Sequence, residues 1–287
     1  MRIKLLSGLL MALLLTQCKS SDSSTFSVPD HTPFGVCYAK VTPEQVDNYG
    51  MVIIEPDFYS KEEMSALRST GTKIIAYVTL GEVDENRWYF NRLKEIGFVG
   101  KNDNWNSYFI DLEKKESRQL ILNEVIPEII AKGVDGLFLD TIDAVSPVTE
   151  RGHLQPYMVE MIEGIRKNYP NKVIIQNAGV FLLDRTKDDI DAFLTEALAS
   201  DYNFVSKEYS VRTAEDFNDR LTYLNYYAGQ SNKPFFIVGF ADSDIKRKQL
   251  TTRLDTLGRP YFISNIGLSK LPIQPDSITN NLKVKKE

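Results

Sequence analysis

Carboxylate and amide side chains stand directly after short apolar segments, at the points where predicted strands end. Asp140 is the clearest case, because residues 133–143 form a turn, a short buried-type apolar strand and then the acid. In a barrel of parallel strands, side chains at the strands' carboxyl ends point into the active-site mouth. Asp140 is therefore the first candidate for chemistry.

Two more acids occupy the same kind of position. Glu196 follows the apolar segment 192–195 and is the best partner for Asp140, with a helix cap or salt bridge as the structural alternative. Glu82 follows Gly81, a residue that lets backbone approach a ligand closely, so we place Glu82 in substrate binding. A ring of carboxylates and amides around an apolar barrel suits polyols, whose hydroxyls need paired donors and acceptors. The side chains at strand ends are Tyr38, Glu55, Asp57, Glu82, Asp111, Asp140, Asp143, Gln176, Asn177, Glu196, Asp242, Ser264 and Asn265. Taken singly, four of them are as well explained as helix caps or turn formers: Asp57, Asp111, Asp143 and Asp242.

The same set of residues excludes several chemistries. The only histidines are His31 and His153, which argues against a multi-histidine zinc site. No lysine stands at a strand end to form a Schiff base, and no glycine-rich phosphate loop follows the first strand. What remains is acid–base or nucleophilic chemistry by carboxylates. Glycoside hydrolysis is the reaction that needs two carboxylates and no cofactor, so for this reaction we expect neither a cofactor nor a metal.

Apolar segments alternate with amphipathic helical stretches along most of the chain. Segments without polar alternation are expected where both faces of a parallel sheet are covered. The predicted strands are 35–38, 51–55, 73–80, 108–112, 136–140, 173–176, 192–195, 235–239 and 261–264. The predicted helices are 61–69, 85–94, 115–132, 155–168, 214–230 and 244–257. This alternation predicts a single-domain α/β fold, a (β/α)8 TIM barrel, in which one of nine strand candidates is an accessory strand.

The amino terminus resembles a bacterial lipoprotein signal. Arg2 and Lys4 precede an apolar run that is too short for a permanent membrane span, and residues 14–18 (LLTQC) resemble a lipobox. We therefore expect export, a signal peptide over 1–17, a lipid on Cys18, a flexible tether over 18–33 and a folded domain over 34–287. A plain cleaved secretory signal is the alternative.

The net charge and the cysteine content limit the kinds of partner and cross-link that we expect for this protein. Removing residues 1–17 deletes two positive charges and moves the formal net charge from −5 to −7, which argues against nucleic acid. The balance suits a neutral or cationic ligand. Once Cys18 is lipidated, Cys37 is the only thiol left, so no internal disulfide can form and the apolar context of Cys37 places it in the core. We expect a monomer that contacts the membrane through its lipid alone.

Four segments resemble glycoside hydrolase family 114, the endo-α-1,4-polygalactosaminidases and their bacterial relatives. They are residues 75–82 (IAYVTLGE), 133–140 (GVDGLFLD), 175–179 (IQNAG) and 193–196 (FLTE), in the family's order. The resemblance implies a barrel, retention of anomeric configuration and cleavage of polymers rich in α-1,4-galactosamine. It implies Asp140 as the nucleophile and Glu196 as the general acid/base. The sequence departs from the expected aromatic continuation after Glu196, where Ala-Leu-Ala follows.

Substrate contacts and alternatives complete these expectations. Trp88 is the best sugar-stacking platform, whereas Trp105 is expected to pack at the opposite end of the barrel. The predicted substrate-binding residues are Tyr38, Asp57, Glu82, Trp88, Asp143, Asn177 and Asp242. One alternative is a metal-dependent hydrolase whose hard cation is held by Asp140, Asp143 and Glu82. Another is a surface lipoprotein that binds carbohydrate on a catalytically inactive barrel.

Overall fold

The computed structural model describes residue 29 and residues 32–275 of the chain. Strands with nearly continuous burial alternate with helices, as the apolar segments predict. In chain order the strands are β1 Phe34–Cys37, β2 Met51–Ile54, β3 Lys73–Thr79, β4 Glu82–Asp84, β5 Phe98–Asn102, β6 Ser107–Ile110, β7 Gly136–Asp140, β8 Val173–Asn177, β9 Ala192–Glu196, β10 Ser200–Asn203, β11 Glu208–Val211, β12 Phe235–Phe240 and β13 Tyr261–Ser264.

Eight of these strands form one parallel sheet in the order β1-β2-β3-β7-β8-β9-β12-β13. The two end strands, β1 and β13, also contact each other, so the sheet curls into a barrel. Large aromatic rings fill its interior, and Phe34 packs edge-on against Phe236 with ring centroids 4.9 Å apart. The predicted TIM-barrel fold is confirmed.

The accessory strand is the one predicted at residues 108–112. It is β6, which pairs antiparallel with β4 and β5 in a three-stranded sheet inserted after β3. A second insertion, the hairpin of β10 and β11, follows β9 and is absent from the predicted elements. Both insertions start where a barrel strand ends, so they belong to the carboxyl-end face of the barrel.

Helices cover the outside of the barrel. They are α1 Pro43–Val46, α2 Lys61–Arg68, α3 Phe90–Ile96, α4 Lys115–Leu120, α5 Ile126–Ala131, α6 Gln155–Asn168, α7 Leu183–Thr186, α8 Ala214–Ser231 and α9 Asp244–Leu254. The predicted helix 115–132 is interrupted by a π-helical turn, Ile121–Val125, that ends two residues before Pro127. Proline lacks the N–H that an α-helix interior requires, and a wider turn is one way to accommodate it.

The opening residues of the segment 133–140 have structural roles at the amino end of β7. Gly133 has φ +90°, in the left-handed region that favours glycine. A Cβ on Gly136 would lie 2.3 Å from the Val173 carbonyl oxygen of the neighbouring strand. Asp135 accepts hydrogen bonds from the Arg68 guanidinium at 2.9 Å and from the Ile74 backbone N–H at 3.0 Å. These residues join β7 to β3 and β8 and fix the strand that ends in Asp140.

Replacing Asp135 should therefore reduce stability without changing the chemistry. Asp135→Ala leaves the Ile74 N–H without its acceptor and Arg68 without its carboxylate, and we expect a loss of about 1–3 kcal/mol in the free energy of unfolding. Urea denaturation measures the loss, and Asp219→Ala on the exposed face of α8 is the matched control. A normal unfolding free energy for Asp135→Ala would contradict the structural role.

The amino-terminal predictions mostly fall outside the described residues. Cys18, the signal peptide and nearly all of the tether lie there. Within residues 29 and 32–275, no helix combines the length and apolar character that a membrane crossing requires. Cys37 is a free, buried thiol, as its apolar context predicts.

Candidate active site

Three adjacent strands, β7, β8 and β9, end in Asp140, Asn177 and Glu196. The residue after each of them, Thr141, Ala178 or Ala197, is a non-glycine residue with φ between 54° and 59°. Left-handed backbone is costly for such residues and concentrates at functional sites. The chain therefore turns sharply at the same level on all three strands, with the three polar side chains side by side.

Asn177 joins the two carboxylates. Its side-chain Nδ2 donates to Asp140 Oδ1 at 2.7 Å and to Glu196 Oε1 at 3.0 Å. Because both oxygens bond to one nitrogen, they can be no farther apart than about 5.7 Å, the sum of the 2.7 and 3.0 Å bonds. The two carboxylates predicted to do the chemistry are thus brought together at one end of the barrel.

The orientation of the Asn177 amide follows from these contacts. Two acceptors face Nδ2, so the amide oxygen must point the other way. That oxygen, Oδ1, is buried and has no hydrogen-bond partner among the described residues. A buried acceptor without a partner is unusual in a folded protein, so the two bonds to the carboxylates hold the amide in an orientation that leaves this acceptor unmet.

Glu196 has the environment of a general acid. Burial, together with the charges of Asp140 and Asp143, raises the pKa of its carboxyl to about 8, against the opposing effect of the bond from Asn177. A carboxyl with this pKa holds its proton at neutral pH and can donate it to a leaving group.

Two tyrosines surround the carboxylates. Tyr77, from the middle of β3, hydrogen-bonds to Asp140, and Tyr38 packs against Tyr77 with ring centroids 5.0 Å apart. Burial, followed by the charge of Asp140, raises the pKa of both hydroxyls well above the usual value, so both remain protonated donors. Tyr38 was predicted from its position after β1. Tyr77 was missed because it lies inside a strand, two residues before the last strand residue.

The loop that follows β3 places Glu82 close to Asp140. Thr141 Oγ1 accepts from the backbone N–H groups of Gly81 and Glu82, at 2.8 and 3.1 Å. A Cβ on Gly81 would lie 2.3 Å from the Thr141 carbonyl oxygen, so this close approach requires glycine. Burial raises the pKa of the Glu82 carboxyl, while hydrogen bonds from Ser107 and Asn102 oppose the shift. The accessory sheet therefore places the buried carboxyl of Glu82 at the active-site mouth.

Asp143 adds a further acid at the rim. The residue as a whole is exposed to solvent, but protein atoms surround its carboxyl group. Burial of the carboxyl, together with the charges of Asp140 and Glu82, raises its pKa to about 6. Asp143 thus belongs to the same electrostatic cluster as the two central carboxylates.

Asp57 and Trp88 lie on the β2 side of the mouth, around an arginine that sequence analysis missed. Arg87 donates to both oxygens of Glu55, at 2.7 and 2.6 Å, and to Asp57 at 3.0 Å. Its guanidinium lies 5.1 Å from the centre of the Tyr77 ring. Asp57 is therefore already paired with a cation, while Trp88, the next residue after Arg87, is 51% exposed.

Asp242 follows β12 but is bound by Lys246, one helical turn further on. Hydrogen bonding to Lys246 lowers the pKa of the Asp242 carboxyl. Asp242 precedes the N-cap of α9, Ser243, and is engaged in an ion pair, so it is neither the predicted helix cap nor joined to the carboxylate pair by a contact among the described residues.

Trp105 is not at the opposite end of the barrel. It lies in the turn between Asn102 and Ser107, which both bond to Glu82, and it contacts Phe204 of the β10–β11 hairpin with ring centroids 5.0 Å apart. The error arose because β6 was taken as a barrel strand, whereas it runs antiparallel in the accessory sheet. Trp105 therefore belongs to the same face as the carboxylates.

The described residues do not group three or more His, Cys, Asp or Glu side chains in a way that could hold a metal ion. The mouth instead combines a carboxyl that holds its proton, a second carboxylate within hydrogen-bonding reach of the same amide, and protonated tyrosines. Such a set can transfer a proton and attack an electrophilic carbon.

Comparison with known proteins agrees with this arrangement. The family model "Glycoside-hydrolase family GH114" matches residues 16–263. A protein of Methanocaldococcus jannaschii is 26% identical over a 218-residue alignment that covers 69% of this chain and 60% of that protein. A protein of Deinococcus radiodurans is 25% identical over a 212-residue alignment that covers 70% of this chain and 67% of that protein. The chain thus spans about 60% of the length of the archaeal relative.

Solved structures show the same fold. The glycoside hydrolase domain of PelA from Pseudomonas aeruginosa superposes with a TM-score of 0.74 at 20% identity, covering 83% of this chain and 96% of that domain. Ega3 of Aspergillus fumigatus, solved in complex with galactosamine, gives a TM-score of 0.66 at 14% identity, covering 85% and 94%. The family match spans most of the sequence, including all three strand-end residues Asp140, Asn177 and Glu196. The chain belongs to the glycoside hydrolases of family GH114.

Proposed function

We propose that this protein hydrolyses an α-linked amino-sugar polysaccharide by a retaining mechanism, with Asp140 as nucleophile and Glu196 as general acid/base. The observation that carries the mechanism is the single amide nitrogen of Asn177, which holds both carboxylates. Retaining pairs lie about 5–5.5 Å apart, whereas inverting pairs are about 6.5–9.5 Å apart to leave room for a water molecule. The upper limit of about 5.7 Å between the bonded oxygens, from bonds of 2.7 and 3.0 Å, favours retention.

The proposal of an amino sugar rests on charge and on the similar structures. Ega3 was solved with galactosamine, and its barrel resembles this one. In the mouth, Glu82, Asp140 and Asp143 are not paired with a cation among the described residues, whereas Arg87 neutralises Glu55 and Asp57. An acidic mouth concentrates a cationic sugar chain.

Release of reducing ends from α-1,4-galactosaminan, chitosan and neutral α-glucans tests this substrate class. We expect turnover of the deacetylated galactosaminan alone, decreasing as salt rises because exposed charges are screened. EDTA should have no effect, which separates this mechanism from a metal-dependent hydrolase. Preference for the fully acetylated polymer or a neutral glucan would contradict the proposal.

Asn177 should control both the geometry and the acidity of the pair. Asn177→Ala removes the donor shared by the carboxylates, and we expect kcat/KM to fall about 100-fold, near the lower end of the range for a lost acid–base contribution. Because the Asn177 bond lowers the pKa of Glu196, its loss should shift the alkaline limb of the pH profile upward. A stability defect alone would leave the limb in place, so the pH profile separates the two explanations.

We also propose export and a lipid anchor on Cys18, a monomeric state, and membrane contact through the lipid only. The support is the amino-terminal sequence, with its basic residues, apolar run and lipobox-like segment. Cys18→Ser should release the protein from membranes with its activity intact. Membrane retention of that variant after a high-salt wash would rule out the lipid, and size-exclusion chromatography tests the monomer.

A further inference from the structure

A cavity of about 460 Å³ opens on the carboxyl-end face of the barrel, between the ends of β13, β1 and β2. Its lining is largely apolar, unlike the rest of the mouth: Tyr38, Ala39, Lys40, Phe58, Gly267 and Ser269. The volume lies within the range of small-molecule sites. Phe58 contributes a ring that is 53% exposed.

The chain on both sides of Phe58 is fixed. The preceding residue, Asp57, donates its N–H to Glu55 and is bound through its carboxylate by Arg87. The following residue, Tyr59, is buried, and its hydroxyl accepts the backbone N–H of Val41 at 2.7 Å. The backbone that carries the exposed ring is therefore held in place before any ligand arrives, which reduces the entropy lost on binding.

Tyr38 connects the cavity to the catalytic carboxylates. It lines the cavity on one side and packs against Tyr77 on the other, and Tyr77 bonds to Asp140. The charges of Asp140 and Glu196 both reach the Tyr38 hydroxyl. Tyr38 and Tyr77 thus lie between a ligand in the cavity and Asp140.

We infer that this cavity, which we name the Phe58 pocket, is a subsite for a neighbouring sugar of the polysaccharide, with the Phe58 ring as its stacking platform. This inference rests on the proposed function. A pyranose carries C–H groups on its ring faces, and a face of this kind gains contact by covering an exposed aromatic ring. Lys40 at the edge is paired with Glu63, so it does not present an unpaired cation to an amino sugar. Ser269 adds a hydroxyl for polar contact.

The test compares a substrate that fills one sugar site with one that fills several. Galactosaminyl fluoride has a single-atom leaving group and needs only the catalytic subsite, whereas galactosaminan extends into its neighbours. For Phe58→Ala we expect kcat/KM for galactosaminan to fall about tenfold, the equivalent of part of one buried aromatic ring, with the fluoride unchanged within about twofold. Phe58→Tyr should keep most of the polymer activity.

Tyr226→Ala is the matched control, because Tyr226 is an aromatic residue on α8 that is 67% exposed. It should leave both substrates unchanged. Equal losses on both substrates, or no loss on the polymer, would overturn the Phe58 subsite. If the wild-type enzyme cleaves neither substrate, the proposed function fails. Calorimetric titration of galactosamine oligomers into Asp140→Asn, with and without Phe58→Ala, then still decides the subsite, and equal affinities would overturn it.

Discussion

Asp140→Asn should abolish turnover of every substrate, whatever its leaving group. Asparagine keeps the size and the bonding position beside Asn177 and Tyr77, but its neutral amide cannot form the glycosyl-enzyme on which the proposed mechanism depends. Losing a nucleophile costs on the order of 10⁴–10⁶-fold in kcat. Hydrolysis of galactosaminan and of an aryl galactosaminide should fall together.

Asp143→Asn is the matched control for this result. It removes a carboxylate from the same cluster, whose pKa is raised by burial and by the charge of Asp140, but it leaves the Asn177 contacts intact. We expect a modest change, with a downward shift of the Glu196 titration because one neighbouring negative charge is gone. Comparable loss in the two variants would contradict the assignment of Asp140 as nucleophile.

The barrel could be predicted because its strands are covered on both faces. Segments such as β2 and β7 read as continuous apolar runs, and their bounds in the structure differ by only one residue or none from the predicted ones. The same reasoning fails for the insertions. β5 is mostly exposed, and the β10–β11 hairpin is short and polar, so neither has an apolar run to reveal it.

Those residues of the candidate active site that follow or end a barrel strand could be predicted from the sequence. Asp140, Asn177 and Glu196 meet because neighbouring parallel strands end at one level. Tyr77 lies within β3 and Arg87 lies beyond an inserted strand, so strand-end position could not identify either. Arg87 also changes the interpretation of Glu55 and Asp57, whose charges it binds. Such long-range pairings depend on the fold and leave no local pattern.

Glu196→Gln, unlike Asp140→Asn, should lose activity to an extent that depends on the leaving group of the substrate. Glutamine cannot donate a proton, so substrates with poor leaving groups, including the polymer, should lose on the order of 10²–10⁴-fold. The aryl alcohol of an aryl galactosaminide can leave as its anion without protonation, so the first step with this substrate should remain measurable in rapid-mixing experiments. Added azide should then accelerate release of the sugar from the trapped enzyme, because azide needs no general base.

The pH profile supplies an independent check on the same residue. With a pKa raised to about 8, Glu196 carries its proton below that pH and loses it above. Activity of the wild-type enzyme should therefore persist through neutral pH and decline as the pH rises through about 8, the pKa of Glu196. In Glu196→Gln the alkaline decline should disappear for aryl substrates. The roles would be reversed if Asp140→Asn responded to leaving-group quality while Glu196→Gln were inactive towards all substrates, and near-normal activity in both would exclude this pair from glycoside hydrolysis.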